Sequence, residues 1–191
     1  KDQGRLLATS YDPTGPEGEY RTRSGQGFKK FLESNPDAYG KVETIIVNPP
    51  SDIKLGEEGY VDMVLTFRNT HGWVQDGFEA QVYAEAFRVL KPGGVFGVVQ
   101  HRDKADFSGD VKARAESGYV SEKYVIEAVE KAGFKLEAKS EVNANAKDTK
   151  DYKDGVWTLP PGFRLKDQDR AKYEAIGESD RMTLKFVKPA T

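Results

Sequence analysis

The chain has 191 residues, of which 29 are basic and 31 acidic, for a formal net charge of −2. This balance gives no general electrostatic reason to bind nucleic acid or an anionic membrane. Its mean hydropathy is −0.68, and no apolar run approaches the ~20 residues that span a bilayer. The absence of cysteine and the presence of just two histidines exclude thiolate and histidine-rich metal sites. We therefore expect one domain that binds no metal, nucleic acid or membrane.

Strand-like and helix-like segments alternate from the start of the chain. An apolar strand is predicted over residues 4–11, followed by a loop to about residue 24. A short helix is predicted over residues 27–34, with Pro36 limiting its length. The β-branched residues 41–48 predict the next strand.

The middle of the chain carries the strongest helical pattern. A strand over residues 60–67 precedes it, and Asp76 is predicted as its N-cap, with Glu79 completing a capping box. Lys91-Pro92-Gly93-Gly94 is predicted to stop this helix and turn the chain into an apolar strand over residues 95–99.

The last third begins with a helix that Ser121 starts and Gly133 ends. Strands are predicted over residues 134–142 and 181–187, with a long polar connection over residues 143–180 between them. The whole alternation predicts an α/β sandwich with a mainly parallel sheet and a C-terminal antiparallel strand pair. Ligands of such sheets lie beyond the carboxyl ends of the strands.

The order of these features resembles the class I S-adenosylmethionine-dependent methyltransferases. Leu90-Lys91-Pro92-Gly93-Gly94 is similar to the turn between the fourth helix and fifth strand of that family. Residues 68–73 and 178–182 are similar to a bacterial group known as predicted methyltransferases, and the Ala132-Gly133-Phe134 helix ending also fits. The resemblance covers nearly the whole chain. It implies a Rossmann-like methyltransferase fold, S-adenosylmethionine as cofactor, and methyl transfer.

The resemblance also implies which residues hold the cofactor. An acid at the end of the second strand of the family binds the ribose hydroxyls, and a second acid with an apolar neighbour binds the adenine. Residues at the mouth of the next strand flank the methionine moiety. The corresponding residues are Asp12 for the ribose, Asp52 and Ile53 for the adenine, and Phe67, Arg68 and Asn69 for the methionine.

One part of the family pattern has no counterpart in the sequence. The glycine-rich loop of the family follows its first strand, whereas Gly25-Gln26-Gly27 follows the charged residues 19–23. The first strand of the family lies in mid-sheet, between the second and the fourth. We therefore expect residues 1–191 to form a single methyltransferase-like domain that is incomplete at its N-terminus. A complementing N-terminal segment or a second copy of the chain is the expected partner.

His71 follows a strand end and is a candidate for a general base or for orienting and binding a substrate, because the histidine pKa lies near neutrality. The alternative is a loop histidine that hydrogen-bonds backbone. Trp73 lies close by and is a candidate for substrate binding, as is His101 at the end of the next strand.

Three arginines lie at strand ends. Arg68, Arg102 and Arg181 are predicted either to converge as a clamp for a carboxylate or phosphate, or to pair separately with neighbouring acids. Asn48-Pro49-Pro50-Ser51 is similar to a motif of amine-methylating enzymes, but a simple strand-end turn is the favoured interpretation.

The long connection carries two further candidates. Trp157 is either a lid over the site or, as we favour, a buried anchor of the loop. Residues 148–154 are predicted to be a solvated surface, and Tyr119 either lines the site or packs in the core.

The leading hypothesis is methyl transfer from S-adenosylmethionine to a small molecule. A non-catalytic methyltransferase-like binding module is the alternative, and a nicotinamide-dependent oxidoreductase is disfavoured because the sequence has no GxGxxG unit. The composition is compatible with the cytoplasm, or with export if a leader was cleaved.

Overall fold

The computed structural model describes residues 4–190. The chain divides into two compact units, Lys1–Glu57 and Glu58–Thr191, here called the N-terminal and C-terminal units. The assignment of residues 1–191 to a single domain stays a prediction. None of the helices among the described residues is both long and apolar enough to cross a bilayer.

The N-terminal unit contains a small parallel sheet and two helices. The strands pair in parallel, with Leu6 opposite Val42 and Ser10 opposite Ile46. Its elements are β1 (Leu6–Ser10), α1 (Tyr20–Glu33), α2 (Pro36–Tyr39) and β2 (Val42–Ile46). Both predicted strands are confirmed.

The prediction of a loop up to residue 24 was wrong, because α1 already begins at Tyr20. A Cβ at Gly25 would lie 2.4 Å from the Tyr11 carbonyl oxygen. This glycine therefore permits close packing inside a helix. Pro36 is the first residue of α2, a position that proline favours. The Asn35 side chain caps this helix by accepting a hydrogen bond from the Ala38 amide.

The C-terminal unit is built on a four-stranded mixed sheet. Its strand order is β3-β4-β6-β5, with β3 parallel to β4 and β6 antiparallel to both of its neighbours. The elements are β3 (Val61–Phe67), α3 (Thr70–Asp76), α4 (Glu79–Val89), β4 (Leu90–His101), α5 (Val111–Ala115), α6 (Glu122–Lys131), β5 (Lys135–Ser140), a 3₁₀ helix (Gly155–Thr158), α7 (Arg170–Ile176) and β6 (Arg181–Val187). The predicted α/β class with a C-terminal antiparallel pair is confirmed. The prediction of a mainly parallel sheet fits only roughly, because this sheet has one parallel and two antiparallel pairings.

The predicted N-cap at Asp76 was wrong. Asp76 is the last residue of α3, which Gly77 ends in the left-handed conformation at φ 76°. Residues 70–76 are too polar to show an apolar helical periodicity, so α3 was not predicted. The next helix, α4, begins at Glu79. The Ser121 cap of α6 is confirmed, since its side chain accepts a hydrogen bond from the Tyr124 amide.

The predicted turn after α4 lies inside β4. Leu90 pairs with Val61 and Val95 pairs with Met63, so residues 91–94 form an insertion in the ladder. Gly93 adopts φ 78°, which glycine supplies without strain.

The core of the C-terminal unit is aromatic. The ring centroid of Phe96 lies 5.2 Å from that of Phe134, 6.0 Å from that of Tyr83 and 6.3 Å from that of Phe186. Tyr83, Phe96 and Phe186 are at most 1% exposed. These edge-to-face and tilted contacts add to the apolar burial that holds the sheet and helices together.

The long connection is anchored, and the prediction of a solvated surface over residues 148–154 was wrong for Asp148. Its carboxylate is buried and accepts hydrogen bonds from the Tyr119 hydroxyl at 2.9 Å and the Asp180 amide at 2.7 Å. Val156 and Leu159 are buried as well. The polar sequence conceals these anchors because hydrogen bonds, and not apolar side chains, hold much of the segment.

One face of β3 is apolar and uncovered. Met63, Leu65 and Phe67 alternate along the strand and are 55%, 54% and 57% exposed. Within residues 4–190, β3 pairs with β4 on one side and has no strand on the other. Strand edges of this kind are available for pairing with another chain segment.

Candidate functional site

The candidate site is built at one rim of the C-terminal sheet. The parallel strands β3 and β4 end there, and β6 begins there, with His101 opposite Arg181 in the ladder. Arg68 follows β3 directly and adopts φ 59°, a conformation that is strained for an arginine. This topology brings strand-end polar residues from three strands to one place.

Two histidines and a tryptophan lie together at this rim. The His71 ring centroid is 5.7 Å from that of His101 and 5.7 Å from that of Trp157. His101 is buried, and its Nδ1 lies 2.6 Å from the Ser179 hydroxyl. Burial, together with the nearby His71, Arg68 and Arg181, lowers the pKa of His101 to about 3. Burial also lowers the pKa of His71 and outweighs the opposite effect of the contact with Gln100, and the positive charge of Arg68 lowers this pKa further. Both rings are therefore neutral at pH 7.

Gln100 lies fully buried next to these rings. Its Nε2 is 2.8 Å from the Gly118 carbonyl oxygen, 3.4 Å from the His101 carbonyl oxygen and 3.5 Å from His71 Nδ1. Its Oε1 is buried without a hydrogen-bond partner in the described part of the chain. An unsatisfied buried oxygen lowers the free energy of unfolding by about 1–3 kcal/mol. Such oxygens are rare in folded proteins, which makes the position of the Gln100 amide unusual.

The structure places Arg102 in an ion network. Its guanidinium contacts Asp180 at 2.9 Å, Glu141 at 2.7 Å and Glu122 at 3.2 Å. Although burial opposes ionisation of Asp180, hydrogen bonds from Arg102 and Lys150 lower the pKa of that carboxyl to about 2. For Arg102, this arrangement is that of the alternative in which a strand-end arginine pairs with neighbouring acids.

Arg181 and Arg68 differ from Arg102 in their partners. Arg181 forms an ion pair with Glu178. Arg68 is exposed, and its charge acts on both His71 and His101. Within the rim, Arg68 and Arg181 are thus the cations that lie near the two neutral rings.

The two tryptophans lie in different surroundings. The Trp73 ring packs on Tyr83, with the centroids 6.2 Å apart, and belongs to the margin of the core. The Trp157 ring instead lies beside His71, with the Arg164 guanidinium 4.7 Å from its centroid. The structure therefore brings Trp157 to the rim and directs Trp73 toward the core.

The remaining residues at the end of β3 are exposed. Phe67 is 57% exposed, and Asn69 also lies on the surface, with its Nδ2 3.4 Å from the Thr66 hydroxyl. Both precede α3, which carries His71. Among residues 4–190, no group of three acidic, histidine or cysteine side chains could hold a metal ion.

Asp12, Asp52 and Ile53 belong to the N-terminal unit. Asp12 Oδ1 accepts hydrogen bonds from the Thr14 hydroxyl at 2.7 Å and the Thr14 amide at 2.8 Å. These hydrogen bonds lower the pKa of Asp12 and keep its carboxylate ionised. Asp52 is exposed and Ile53 half-buried.

The Asn48-Pro49-Pro50-Ser51 segment forms a turn. The backbone of Asn48 and that of Asp52 exchange two hydrogen bonds of 2.7 and 3.0 Å. The Ser51 hydroxyl donates to the Asn48 carbonyl oxygen at 2.9 Å. This closed geometry is that of the strand-end turn favoured from the sequence.

Solved structures resemble this chain along nearly its whole length. The [4+2]-cyclase SpnF matches with a TM-score of 0.57 at 14% identity, over 98% of this chain and 75% of that one. A SAM-dependent methyltransferase from Aquifex aeolicus gives 0.55 at 14%, over 98% and 70%. One from Methanosarcina mazei gives 0.55 at 12%, over 98% and 83%. The fold is that of the class I methyltransferases. No protein-family model and no curated protein sequence matches the chain.

The class I methyltransferase fold does not by itself fix the reaction. One of these similar structures is described as a cyclase, and the others as methyltransferases. Function must therefore be argued from the side chains at the strand ends.

Sequence reasoning missed Gln100, Ser179 and Asp148. Gln100 ends an apolar run, and a polar residue in such a run is a signal that could have been used. Ser179 and Asp148 lie in the long polar connection, where nothing in the local sequence separates buried from exposed residues.

Proposed function

We propose that this protein transfers a methyl group from S-adenosylmethionine to a small-molecule acceptor. One observation carries the proposal: Arg68, His71 and Trp157 gather at the carboxyl ends of β3 and β4, in a fold shared with SAM-dependent methyltransferases. Open α/β sheets bind their ligands at such strand ends.

The cofactor residues of the proposal are those that the family resemblance implies. An ionised carboxylate suits a ribose diol, and the two hydrogen bonds from Thr14 keep Asp12 ionised and oriented. Asp52 and Ile53 would bind the adenine. Phe67, Arg68 and Asn69 would flank the methionine moiety.

When bound, S-adenosylmethionine supplies an activated methyl group, so the protein has mainly to align the acceptor and exclude water. His71 is the candidate catalytic residue, and His101 and Arg181 would help to bind the acceptor. Trp157, whose ring lies beside His71, would cover the acceptor.

Calorimetry with S-adenosylhomocysteine tests the cofactor assignment. Asp12→Ala should weaken binding by about tenfold or more, because a charge-assisted hydrogen bond is lost. The exposed Asp106 provides a control of the same chemical type in the other unit. Asp106→Ala should bind as the wild type does. Equal affinity of the wild type and Asp12→Ala would reject the ribose role of Asp12.

A non-catalytic binding module is the second candidate. One of the similar structures is described as a cyclase, so proteins with this fold have more than one function. Binding of S-adenosylhomocysteine without methyl transfer to any member of a small-molecule acceptor panel would favour the module. Transfer of labelled methyl to one member would favour the enzyme.

We also propose that β3 receives a further strand, from a complementing segment or from a second copy of the chain. The support is the exposed apolar face of Met63, Leu65 and Phe67 at an edge without a partner strand in residues 4–190. Sedimentation velocity distinguishes the two sources. A dimer that Leu65→Lys dissociates would favour the second copy, whereas a wild-type monomer at every concentration would reject it.

A further inference from the structure

The orientation of the buried Gln100 amide follows from its neighbours. Two carbonyl oxygens, those of Gly118 and His101, face the same amide atom at 2.8 and 3.4 Å. Carbonyl oxygens only accept hydrogen bonds, so the atom that faces them must be the nitrogen. The same nitrogen lies 3.5 Å from His71 Nδ1.

This orientation determines where His71 carries its proton. A carboxamide nitrogen can only donate, so the 3.5 Å contact with Gln100 Nε2 favours His71 Nδ1 as an acceptor without a proton. A neutral imidazole has one proton, which this arrangement places on Nε2. Moving that proton to Nδ1 would set two N–H groups against each other inside the protein.

We propose that Gln100 holds His71 as the neutral Nε2–H tautomer, so that His71 donates a hydrogen bond to an acceptor substrate that arrives already ionised. The acceptor would be an oxygen acid, a carboxylate or a phosphate, and His71 would not act as a general base. The inference rests on the proposed methyltransferase function and names its substrate class. Gln100 is a positioning residue in this scheme.

The charges at the rim fit an anionic acceptor. Arg68 is exposed beside the rings, and Arg181 begins β6 opposite His101. Burial is the main reason that the pKa values of His71 and His101 are lowered, with further contributions from Arg68 to both rings and from Arg181 to His101, so the rings stay neutral while the exposed Arg68 attracts an anion. The acids close to the rim are already paired, Glu178 with Arg181 and Asp180 with Arg102 and Lys150.

The chemistry balances without a base. A lone pair of the ionised acceptor oxygen forms the new O–CH₃ bond while the S–CH₃ bond breaks and its electron pair returns to sulfur. The sulfonium loses its positive charge and the acceptor loses its negative charge. No proton is transferred, so His71 can donate a hydrogen bond to the acceptor oxygen and need not act as a base.

The tautomer can be observed directly, because the chain has just two histidines. In ¹⁵N-labelled His101→Asn, His71 is the sole imidazole, and Asn keeps an acceptor for Ser179. Long-range ¹H–¹⁵N spectra at pH 7 should show the Nε2–H form. An Nδ1–H form, or a charged ring, would overturn the proposal.

The role of Gln100 is tested by Gln100→Met, which keeps the length of the side chain and removes both donors. The variant should show a mixture of the two His71 tautomers, an effect that a merely structural role would not produce. A pure Nε2–H form in folded Gln100→Met would show that Gln100 is not the cause. If the variant does not fold, the single-histidine spectrum still decides the tautomer.

The substrate class is tested with sodium benzoate, phenyl phosphate and neutral benzamide as probes. The His71 Nε2–H signal should shift, and the shift should saturate, as one or both anions are added. Benzamide should not shift it. Arg68→Gln should weaken the effect by about tenfold. The anion that shifts the signal identifies carboxylate or phosphate as the acceptor. An equal effect of benzamide, no effect of either anion, or displacement of the anion by S-adenosylhomocysteine would reject an anionic acceptor.

The same samples separate this inference from the proposed function. If S-adenosylhomocysteine fails to bind while the Nε2–H form and anion binding are observed, the methyltransferase proposal is wrong. His71 would then donate a hydrogen bond to an anion in a protein of another class. If the cofactor binds and His71 carries its proton on Nδ1, only the further inference is wrong.

Discussion

The two units of the chain differ in how much they bury. Of the hydrophobic residues that are buried in the described part of the chain, Val47 lies in the N-terminal unit and the others, such as Tyr83, Phe96 and Phe186, lie in the C-terminal unit. A two-stranded sheet is marginally stable at best, and small units bury little of their surface. The C-terminal unit therefore contains nearly all of the apolar core, and it also holds the histidine rim.

The largest difference in stability is expected between one substitution in each unit. Phe96→Ala should lower the free energy of unfolding by about 3–5 kcal/mol, because it removes a buried ring that three other aromatic rings contact. Phe31→Ala should cost about 1 kcal/mol or less, since that exposed ring contacts Tyr39 at a centroid distance of 4.8 Å. Urea unfolding measures both values. Equal losses would show that the contrast in burial does not govern stability.

Ion pairs offer a second, smaller contrast. Asp180→Asn should cost about 3 kcal/mol, because Arg102 and Lys150 lose a buried partner that they contact at 2.9 and 2.8 Å. The exposed pair of Arg5 and Glu43 lies in the N-terminal unit, and Glu43→Gln should change the free energy of unfolding little, because solvent screens the pair. Urea unfolding at pH 7 compares the two variants. A loss for Glu43→Gln as large as that for Asp180→Asn would contradict the assignment.

A third prediction concerns pH and the C-terminal unit. The pKa of His101 is about 3 in the folded chain, mainly because of burial, and about 6.5 when unfolded. The unfolded state therefore takes up the proton first, and stability falls as the pH drops from about 6.5 toward 3. At pH 5 the loss due to His101 alone should be about 2 kcal/mol.

His101→Asn tests this dependence, because asparagine does not titrate in this range. The difference in unfolding free energy between pH 7 and pH 5 should be smaller in the variant by about 2 kcal/mol. His71→Asn serves as the comparison, since burial lowers the pKa of His71 in the same direction. An unchanged pH dependence in His101→Asn would mean that His101 is not buried in its neutral form.

Much of the fold could be predicted from the sequence, because periodicity and turn residues act locally. The strand over residues 60–67 and the helix capped by Ser121 carry their own signals, and both were found. The start of α1 and the whole of α2, α3, α5 and α7 were missed. Their polar residues give no stripe that periodicity can detect.

From the sequence alone, the α/β class, the strands in their order and the strand ends at which polar residues collect could be predicted. The sequence did not decide which of those residues would meet. The tertiary structure paired Arg102 with acids from three distant segments, buried Asp148 within a polar stretch, and aimed the Gln100 amide at His71. The physical reason is that local signals depend on spacing along the chain, whereas a hydrogen bond or ion pair depends on which groups the packed sheet brings within about 3 Å of one another.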